Sequence, residues 1–214
     1  MRFQFILIGL LLAAVPLSFI GAPYPQELVL QHTATLFGLA CLVAAVVFTK
    51  PTKLSFVCVW IFIVLHIIGA RWIYSFVPYD DLAEYLTGST VSDYFGWQRN
   101  HYDRLVHFAS GLLGVPPASE LLQKYGGMRP LGATLMGISC IMTIGAGYEI
   151  FEWQIAVRLA PGQAEAYNGQ QGDLWDPQKD MALALLGSVV SVVSVVSVVS
   201  AGLLFRWSPI ANDR

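Results

Sequence analysis

Long apolar runs separated by short polar segments dominate the chain. A helix needs about 20 apolar residues to cross the hydrocarbon core of a membrane, and six runs come close to or exceed this length. They lie at residues 3–20, 28–48, 54–74, 101–119, 131–157 and 181–205. The fourth run is the weakest, because it carries several polar residues and ends where Pro116 and Pro117 interrupt it. The pattern predicts an all-α, polytopic membrane bundle of about six transmembrane helices, forming one domain over residues 1–214.

Composition supports a membrane protein over a soluble domain. Apolar residues make up 56% of the 214 residues and charged residues only 12%, about half of the usual globular share. The formal net charge is −2 and the basic residues form no run, so nothing indicates a nucleic-acid partner. The cysteines Cys41, Cys58 and Cys140 lie far apart inside apolar runs, as small core residues do. The predicted partner is the lipid bilayer, and the oligomeric state is left open.

Basic residues near the ends of the spans predict the orientation. With the N-terminus inside, seven basic residues fall on the cytoplasmic side and four on the outer side, as the positive-inside rule favours. Both termini are therefore expected in the cytoplasm, with the loops at 79–100 and 158–179 outside. The first apolar run has a second interpretation, a cleaved signal peptide, although Pro23 directly after Ala22 disfavours cleavage there.

Residues 188–200 repeat one serine and two valines. Valine favours strands, but a lone strand cannot satisfy its backbone groups inside a membrane. A helix is therefore predicted, in which the serines form a row of small residues that lets another helix approach closely. We expect a packing surface here and assign no chemistry to it.

Ionisable residues from four separate segments are predicted to meet at the outer membrane face. Asp103 and His107 lie four residues apart, and Glu149 and Glu152 lie three apart, so each pair shares one face of its helix. His66 lies near the outer end of the third span, and three aspartates lead into the sixth. The complete set is His66, Asp103, His107, Glu149, Glu152, Asp173, Asp176 and Asp180.

Such groups are costly in a membrane, about 2.5–3.5 kcal/mol for a charged residue at the centre of a spanning helix. They must be paired, hydrated or bound to a metal. Imidazole and carboxylate groups are ligands of divalent ions, and crowded carboxylates also suit acid–base catalysis. The cofactor is left open, with a divalent metal as the candidate. The ligands predicted for it are His66, Asp103, His107, Asp173 and Asp176. The predicted catalytic residues are Glu149, Glu152 and Asp180.

Structural roles compete with this prediction. Asp103 and Asp176 each stand where a helix N-cap is expected, and Pro177 after Asp176 suits the first helical position. The whole set also has arginines available for an ion-paired network. The available partners are Arg71, Arg99, Arg104 and Arg158.

Four blocks resemble the successive motifs of the YjdF-like inner-membrane proteins. They read HIIGARWIY at 66–74, NHYDRLVHF at 100–108, EIFEW at 149–153 and QGDLWDPQKDM at 171–181. The resemblance covers most of the chain from the third span onwards and implies a multi-pass protein of the bacterial inner membrane, with no particular activity. The order of Asp-Arg-x-x-His-Phe, an acidic pair and a final Asp is also similar to the VanZ-like membrane proteins, which are associated with glycopeptide resistance. Glu152 stands where the VanZ-like pattern tends to have Gln.

Three functions are compatible with this pattern. The first, which we favour, is a metal-dependent hydrolase or transferase that acts on a lipid or cell-envelope intermediate. The second is a proton- or cation-coupled transporter, which the absence of an internal repeat and the position of the charges at one face disfavour. The third is a non-catalytic membrane factor whose polar cluster holds the helices together. No Walker A, G-x-S-x-G, H-E-x-x-H or Rossmann motif occurs, so no nucleotide partner or serine nucleophile is expected.

Overall fold

Helices account for all the regular secondary structure in the part of the chain that the structure describes. The computed structural model describes residues 2–158 and 170–206, without the side chains of residues 156 and 195–206. The helices are α1 (Arg2–Ser18), α2 (Pro25–Ala44, continued by a π-helical turn Ala45–Thr49), α3 (Lys53–Arg71), α4 (Tyr79–Thr87), α5 (Val91–Phe95), α6 (Tyr102–Lys124), α7 (Pro130–Arg158) and α8 (Asp176–Arg206). The predicted loop 158–179 is therefore described only from residue 170 onwards.

Three of these helices are long and apolar enough to cross a membrane, with the ranges Pro25–Thr49, Lys53–Arg71 and Pro130–Ile155. α1 is a shorter apolar helix that packs on α2 and α3, and the indole nitrogen Nε1 of Trp60 donates to the carbonyl oxygen of Leu7 at 2.9 Å. The chain is thus a helical membrane bundle, as the sequence predicts. The side on which each terminus lies, and the uncleaved first span, stay predictions.

α6 lies at the centre of the bundle and packs against α3, α7 and α8. Because protein surrounds it, its sequence is more polar than that of the lipid-facing helices. The predicted break of this helix at the prolines is wrong, because α6 runs on to Lys124 with Pro116 and Pro117 inside it. The predicted end of the membrane span near Ser119 stays a prediction. Neighbouring helices bury Val115 and Ser119 on either side of the prolines, and such packing allows a membrane helix to tolerate a missing backbone hydrogen bond.

Two glycines let α6 and α8 come into direct backbone contact. A Cβ atom added at Gly111 would lie 1.9 Å from the carbonyl oxygen of Ala184, and one at Gly187 would lie 2.0 Å from that of Phe108. No side chain larger than hydrogen fits at either position. Next to this contact, the fully buried Ser188 donates its hydroxyl to the Ala184 carbonyl at 2.9 Å.

The serine repeat forms part of this contact. Ser188 and Ser191 are buried, whereas Ser194 is exposed, since a three-residue repeat drifts around a helix of 3.6 residues per turn. The predicted helix and packing surface are therefore confirmed for the first two serines. The side chains of Ser197 and Ser200 lie outside the described residues.

Candidate metal centre

Three predicted site residues from α6 and α8 come together at the end of the bundle where these two helices begin. This end is the one predicted to face outwards, and we call it the outer end. Asp103 and His107 lie one turn apart on α6, and Asp180 lies in the first turns of α8. One potential ligand atom from each residue lies within 4.8 Å of the other two. All three residues are buried, with exposed fractions of 7%, 8% and 2%. We call these three residues the triad.

α7 adds the two predicted glutamates to this region. The Oε1 atom of Glu149 lies 3.4 Å from Nε2 of His107, and Oδ1 of Asp103 lies 3.7 Å from the same nitrogen. Glu152 is buried one turn further along α7, where it accepts a hydrogen bond from Tyr148. The face of α6 that carries Asp103 and His107 and the face of α7 that carries Glu149 therefore point towards each other.

Two oxygen atoms in this region are buried without a hydrogen-bond partner among the described residues. They are Oδ1 of Asp180 and Oε1 of Glu149. A buried polar atom left unpaired costs about 1–3 kcal/mol, and more when it is charged. Both oxygens therefore need a proton or a cation.

The other two predicted aspartates have cationic partners instead. Asp176 forms a bidentate pair with Arg99, with N···O distances of 2.5 and 3.1 Å, and its Oδ1 lies 3.0 Å from Nη2 of Arg104. Asp173 accepts hydrogen bonds from Arg104 and from Lys179, the latter at 2.6 Å. This ion-paired network agrees with the structural alternative for Asp173 and Asp176, and metal ligation by these two residues stays an untested prediction.

Charge is unevenly divided between the two neighbouring groups. The network places three cations, Arg99, Arg104 and Lys179, against two carboxylates. The triad and the two glutamates supply four carboxylates and one imidazole. Even with the surplus cation of the network counted, three carboxylates have no positive partner among the described side chains if all are ionised and His107 is neutral. Burial makes such an imbalance expensive, so protons or a bound cation must neutralise it.

Hydrogen bonds tie the loop before α6 to the segment before α8. The side chain of Gln171 accepts from the backbone N–H of Asn100 at 2.9 Å and donates to its carbonyl at 3.0 Å. The Oδ1 atom of Asn100 also accepts from the N–H of Tyr102, which is one of the backbone N–H groups at the start of α6 that have no partner within the helix.

The interpretation of Asp103 as the N-cap is wrong, because α6 begins one residue before it with His101 at the cap position.

The first residue of α8 is Asp176 itself, so the interpretation of Asp176 as an N-cap before Pro177 is displaced by one position. Asp173 supports this turn, since its Oδ1 accepts from the N–H of Trp175 at 3.1 Å. The hydrogen bond from Lys179 is the main reason why the pKa of Asp173 is lowered to about 2. Asp173 is therefore ionised at neutral pH and holds its cationic partners.

His66 has its own partners, apart from the triad. Its Nε2 donates to the Gln31 carbonyl at 3.4 Å, so in the neutral ring Nδ1 accepts from the hydroxyl of Tyr74. Ile73 and Tyr74 have left-handed backbone, with φ of +43° and +58°, which is unfavourable for side-chain-bearing residues. This turn brings Tyr74 back over Gly69, where a Cβ atom would lie 2.6 Å from the ring. Metal ligation by His66 stays an untested prediction.

A cavity of about 530 Å³ adjoins the triad and lies between α2, α3, α6 and α7. Asp103, His107 and His66 line its outer end, and Glu120 and Lys124 line the opposite end. The α6 residues that line it recur every three or four positions and so form a single face of that helix. Asp103 and His107 thus belong both to the triad and to the cavity wall.

Sequence reasoning missed several of these features. Gly111 and Gly187 determine the contact between α6 and α8. The sequence does contain a signal for this contact, because small residues such as glycine let two membrane helices approach closely. The pairing of Asn100 with Gln171 has no such signal, because these residues lie 71 positions apart and depend on the tertiary fold. Tyr74 follows His66 by eight residues and reaches it only through the left-handed turn.

Comparison with known proteins identifies the family. A family model described as "Predicted membrane protein (DUF2238)" matches residues 3–201. The inner membrane protein YjdF of Escherichia coli (strain K12) is 33% identical over 141 residues, which is 64% of this chain and 62% of that protein. The chain thus matches less than two thirds of that relative's length. This agrees with the resemblance of the four sequence blocks and with the expected inner-membrane location. No solved structure matches the chain. The chain belongs to the DUF2238 family of predicted membrane proteins.

Proposed function

We propose that this protein is a membrane-embedded, metal-dependent hydrolase or transferase that acts on a lipid or cell-envelope intermediate at the outer membrane face. The observation that carries the proposal is the triad of Asp103, His107 and Asp180, together with the unpaired Oδ1 atom of Asp180. Protein ligands lie about 2.0–2.6 Å from a bound divalent ion. Three ligand atoms within 4.8 Å of one another can therefore share one ion without movement of the helices.

The donor set fits a divalent ion. Two carboxylates and one imidazole suit zinc, iron or manganese better than calcium, which prefers oxygen ligands alone. A bound divalent cation would also neutralise most of the excess negative charge around His107. Such an ion supplies a Lewis acid that polarises a substrate oxygen or lowers the pKa of a water molecule.

The two glutamates supply the acid–base groups of the proposal. Glu149 lies in contact with His107 through its Oε1 atom, and a carboxylate next to the ion can accept or donate a proton during a hydrolytic or transfer reaction. Glu152 is held by Tyr148, which lines the cavity. The cavity brings a membrane-soluble substrate to Asp103 and His107 from within the bilayer.

A proton- or cation-coupled transporter is the alternative, because the cavity reaches from the triad to Glu120 and Lys124 near the other end of α6. Its middle section, however, is lined by apolar side chains such as Val59, Phe62 and Ile63. An ion passing these residues would lose its hydration without a replacement ligand, which is strongly unfavourable. The apolar lining supports a lipid substrate over an ion path.

Metal analysis of detergent-purified protein tests the proposal. After removal of metal with a chelator, the protein is dialysed against zinc, manganese, iron(II) or magnesium, and the bound metal is measured for the wild type and four variants. His107→Ala and Asp180→Asn remove ligands of the triad. His101→Ala and Asp81→Asn are matched controls, since the ring of His101 lies outside the triad, with its centroid 4.2 Å from that of Trp97, and Asp81 is an exposed residue of α4.

We expect one metal ion per chain in the wild type and in both controls, and less than stoichiometric binding in both triad variants. Thermal unfolding in the same detergent verifies that each variant is folded. A folded wild type that binds none of the four metals would overturn the proposal, as would triad variants that bind as much as the controls. In that case ion flux into vesicles tests the transporter, and a metal-free protein without flux leaves the non-catalytic factor.

A further inference from the structure

The cavity beside the triad is long and mainly apolar, and the charged and imidazole side chains that line it among the described residues lie towards its two ends. α2 contributes residues from Thr35 near the outer end to Thr49 near the inner end, and α6 contributes the face from Asp103 to Lys124. At about 1.5 Å per residue, the stretch from His107 to Lys124 is about 25 Å long. The cavity therefore extends through most of the hydrocarbon core, which is about 30 Å thick.

Its depth exceeds that of one leaflet. Half of the hydrocarbon core is about 15 Å, so a chain that has its head at the triad and ends at the midplane would fill only the outer part. The inner part, lined by Ala45, Pro51 and Leu121 among others, would have no partner. A hydrocarbon chain longer than one leaflet would fill both parts.

Polar contacts between the turn after α2 and the end of α6 lie at the inner end of the cavity. The carboxylate of Glu120 accepts from the N–H and the hydroxyl of Thr52 at 2.9 and 2.6 Å. The Nζ atom of Lys124 donates to the Thr49 carbonyl at 2.5 Å. These bonds hold the turn between α2 and α3 against α6 at the inner end of the cavity.

A side opening gives a chain access from the bilayer. α2 packs on α3, and α7 packs on α6 and α8, but among the described residues α2 and α7 do not pack extensively on each other. The space between them faces lipid, since residues such as Phe37 on α2 and Ile144 on α7 are exposed. A chain can enter sideways there, while its head stays level with the outer membrane surface.

We infer that the cavity binds one extended hydrocarbon chain longer than a leaflet, with an anionic phosphate head at Asp103 and His107. This inference rests on the proposed function, because the metal ion held by the triad is what makes that acidic end of the cavity attract an anionic head. It specifies the substrate class of the same site.

A chain-length comparison with a pair of adjacent variants tests the inference. The probes are a polyprenyl phosphate and an alkyl phosphate whose extended chain is shorter than about 15 Å, so the head group is the same in both. Ala45→Phe places a ring in the inner part of the cavity. Ala44→Phe is the matched control, since Ala44 is exposed and does not line the cavity.

We expect the metal-loaded wild type to bind the long-chain phosphate more tightly than the short one. Ala45→Phe should weaken binding of the long chain by about tenfold or more, since tenfold corresponds to the burial of only about two methylene groups. It should leave the short chain unaffected, and Ala44→Phe should change neither. A long-chain phosphate with a photoreactive group at its tail should label the wild type near Thr49 or Leu121, which tests the same point without a variant.

Equal affinity of the wild type for the two probes would overturn the inference, and so would equal effects of the two phenylalanines or labelling confined to the outer end. Metal content, measured in the same samples, separates the two proposals. Stoichiometric metal without chain-length dependence refutes the hydrocarbon site and leaves the metal centre. A selective effect of Ala45→Phe on the long chain, in protein that binds no metal, would support the hydrocarbon site and refute the metal centre.

Discussion

Replacing Gly111 by alanine places a methyl group into the contact between α6 and α8. The new Cβ atom would lie 1.9 Å from the carbonyl oxygen of Ala184 and 2.6 Å from the N–H nitrogen of Ser188. Ordinary contacts begin near 3.4 Å, so the two helices must separate by roughly 1.5 Å. A change of side-chain rotamer cannot relieve the clash, because both neighbouring atoms belong to the backbone.

The expected cost follows from two opposing effects. Alanine favours a helix over glycine by about 1 kcal/mol, whereas overpacking costs about 1–3 kcal/mol and occasionally more. Gly147→Ala on α7 is the control, because a Cβ atom there has nothing within 4 Å. We expect Gly147→Ala to be neutral or slightly stabilising and Gly111→Ala to be about 1–3 kcal/mol less stable than this control.

The same separation should affect the metal centre. His107 lies one turn from Gly111 on α6, and Asp180 lies on α8, so moving the helices apart moves ligands apart. Metal–ligand distances tolerate only about 0.2 Å. Reversible unfolding in mixed micelles and metal affinity of both glycine variants are the measurements. If Gly111→Ala matched Gly147→Ala in stability and metal affinity, the helix contact would not control the geometry of the site.

Three further results are expected. Gly69→Ala should push the ring of Tyr74 away, because a Cβ atom would lie 2.6 Å from it, and should lower thermal stability by about 1–3 kcal/mol; unchanged tyrosine fluorescence and stability would contradict this. The pKa of Asp173 is lowered to about 2, mainly by the hydrogen bond from Lys179, so its ion pairs stabilise the fold at neutral pH and are lost as the pH falls through about 2. The difference in unfolding temperature between the wild type and Asp173→Asn should therefore shrink from about pH 4 downwards, and a constant difference would contradict the assignment. Glu120→Gln should loosen the turn between α2 and α3 and increase its hydrogen exchange, since the carboxylate accepts the backbone N–H there at 2.9 Å. Protection equal to the wild type would contradict a stabilising role of this hydrogen bond.

Much of the architecture was predictable because membrane burial imposes strong constraints on sequence. An apolar run near 20 residues has few alternatives to a spanning helix, which is why α2, α3 and α7 agree with the predicted runs. The spacing of Asp103 and His107 likewise predicts a shared face, because helix geometry is periodic. Local rules of this kind depend on residues close together in the chain.

Long-range features were less accessible. Asp173 and Asp180 look alike in the sequence, yet the first lies among cations and the second has a buried oxygen without a hydrogen-bond partner among the described residues. The difference depends on where Arg104 points, and that depends on how α6 and α8 cross. The break predicted at Pro116 and Pro117 was wrong for the same reason, since the neighbours that cover these prolines are distant in sequence.

The central position of α6 has a consequence for how the protein is made. Its sequence contains four charged residues, Asp103, Arg104, Glu120 and Lys124, each of which disfavours release from the translocon into lipid as an isolated segment. α3 is already synthesised when α6 emerges, but α7 and α8 follow it. α6 is therefore expected to wait beside the translocon until later helices shield its polar face, so that biogenesis of this half of the protein is cooperative.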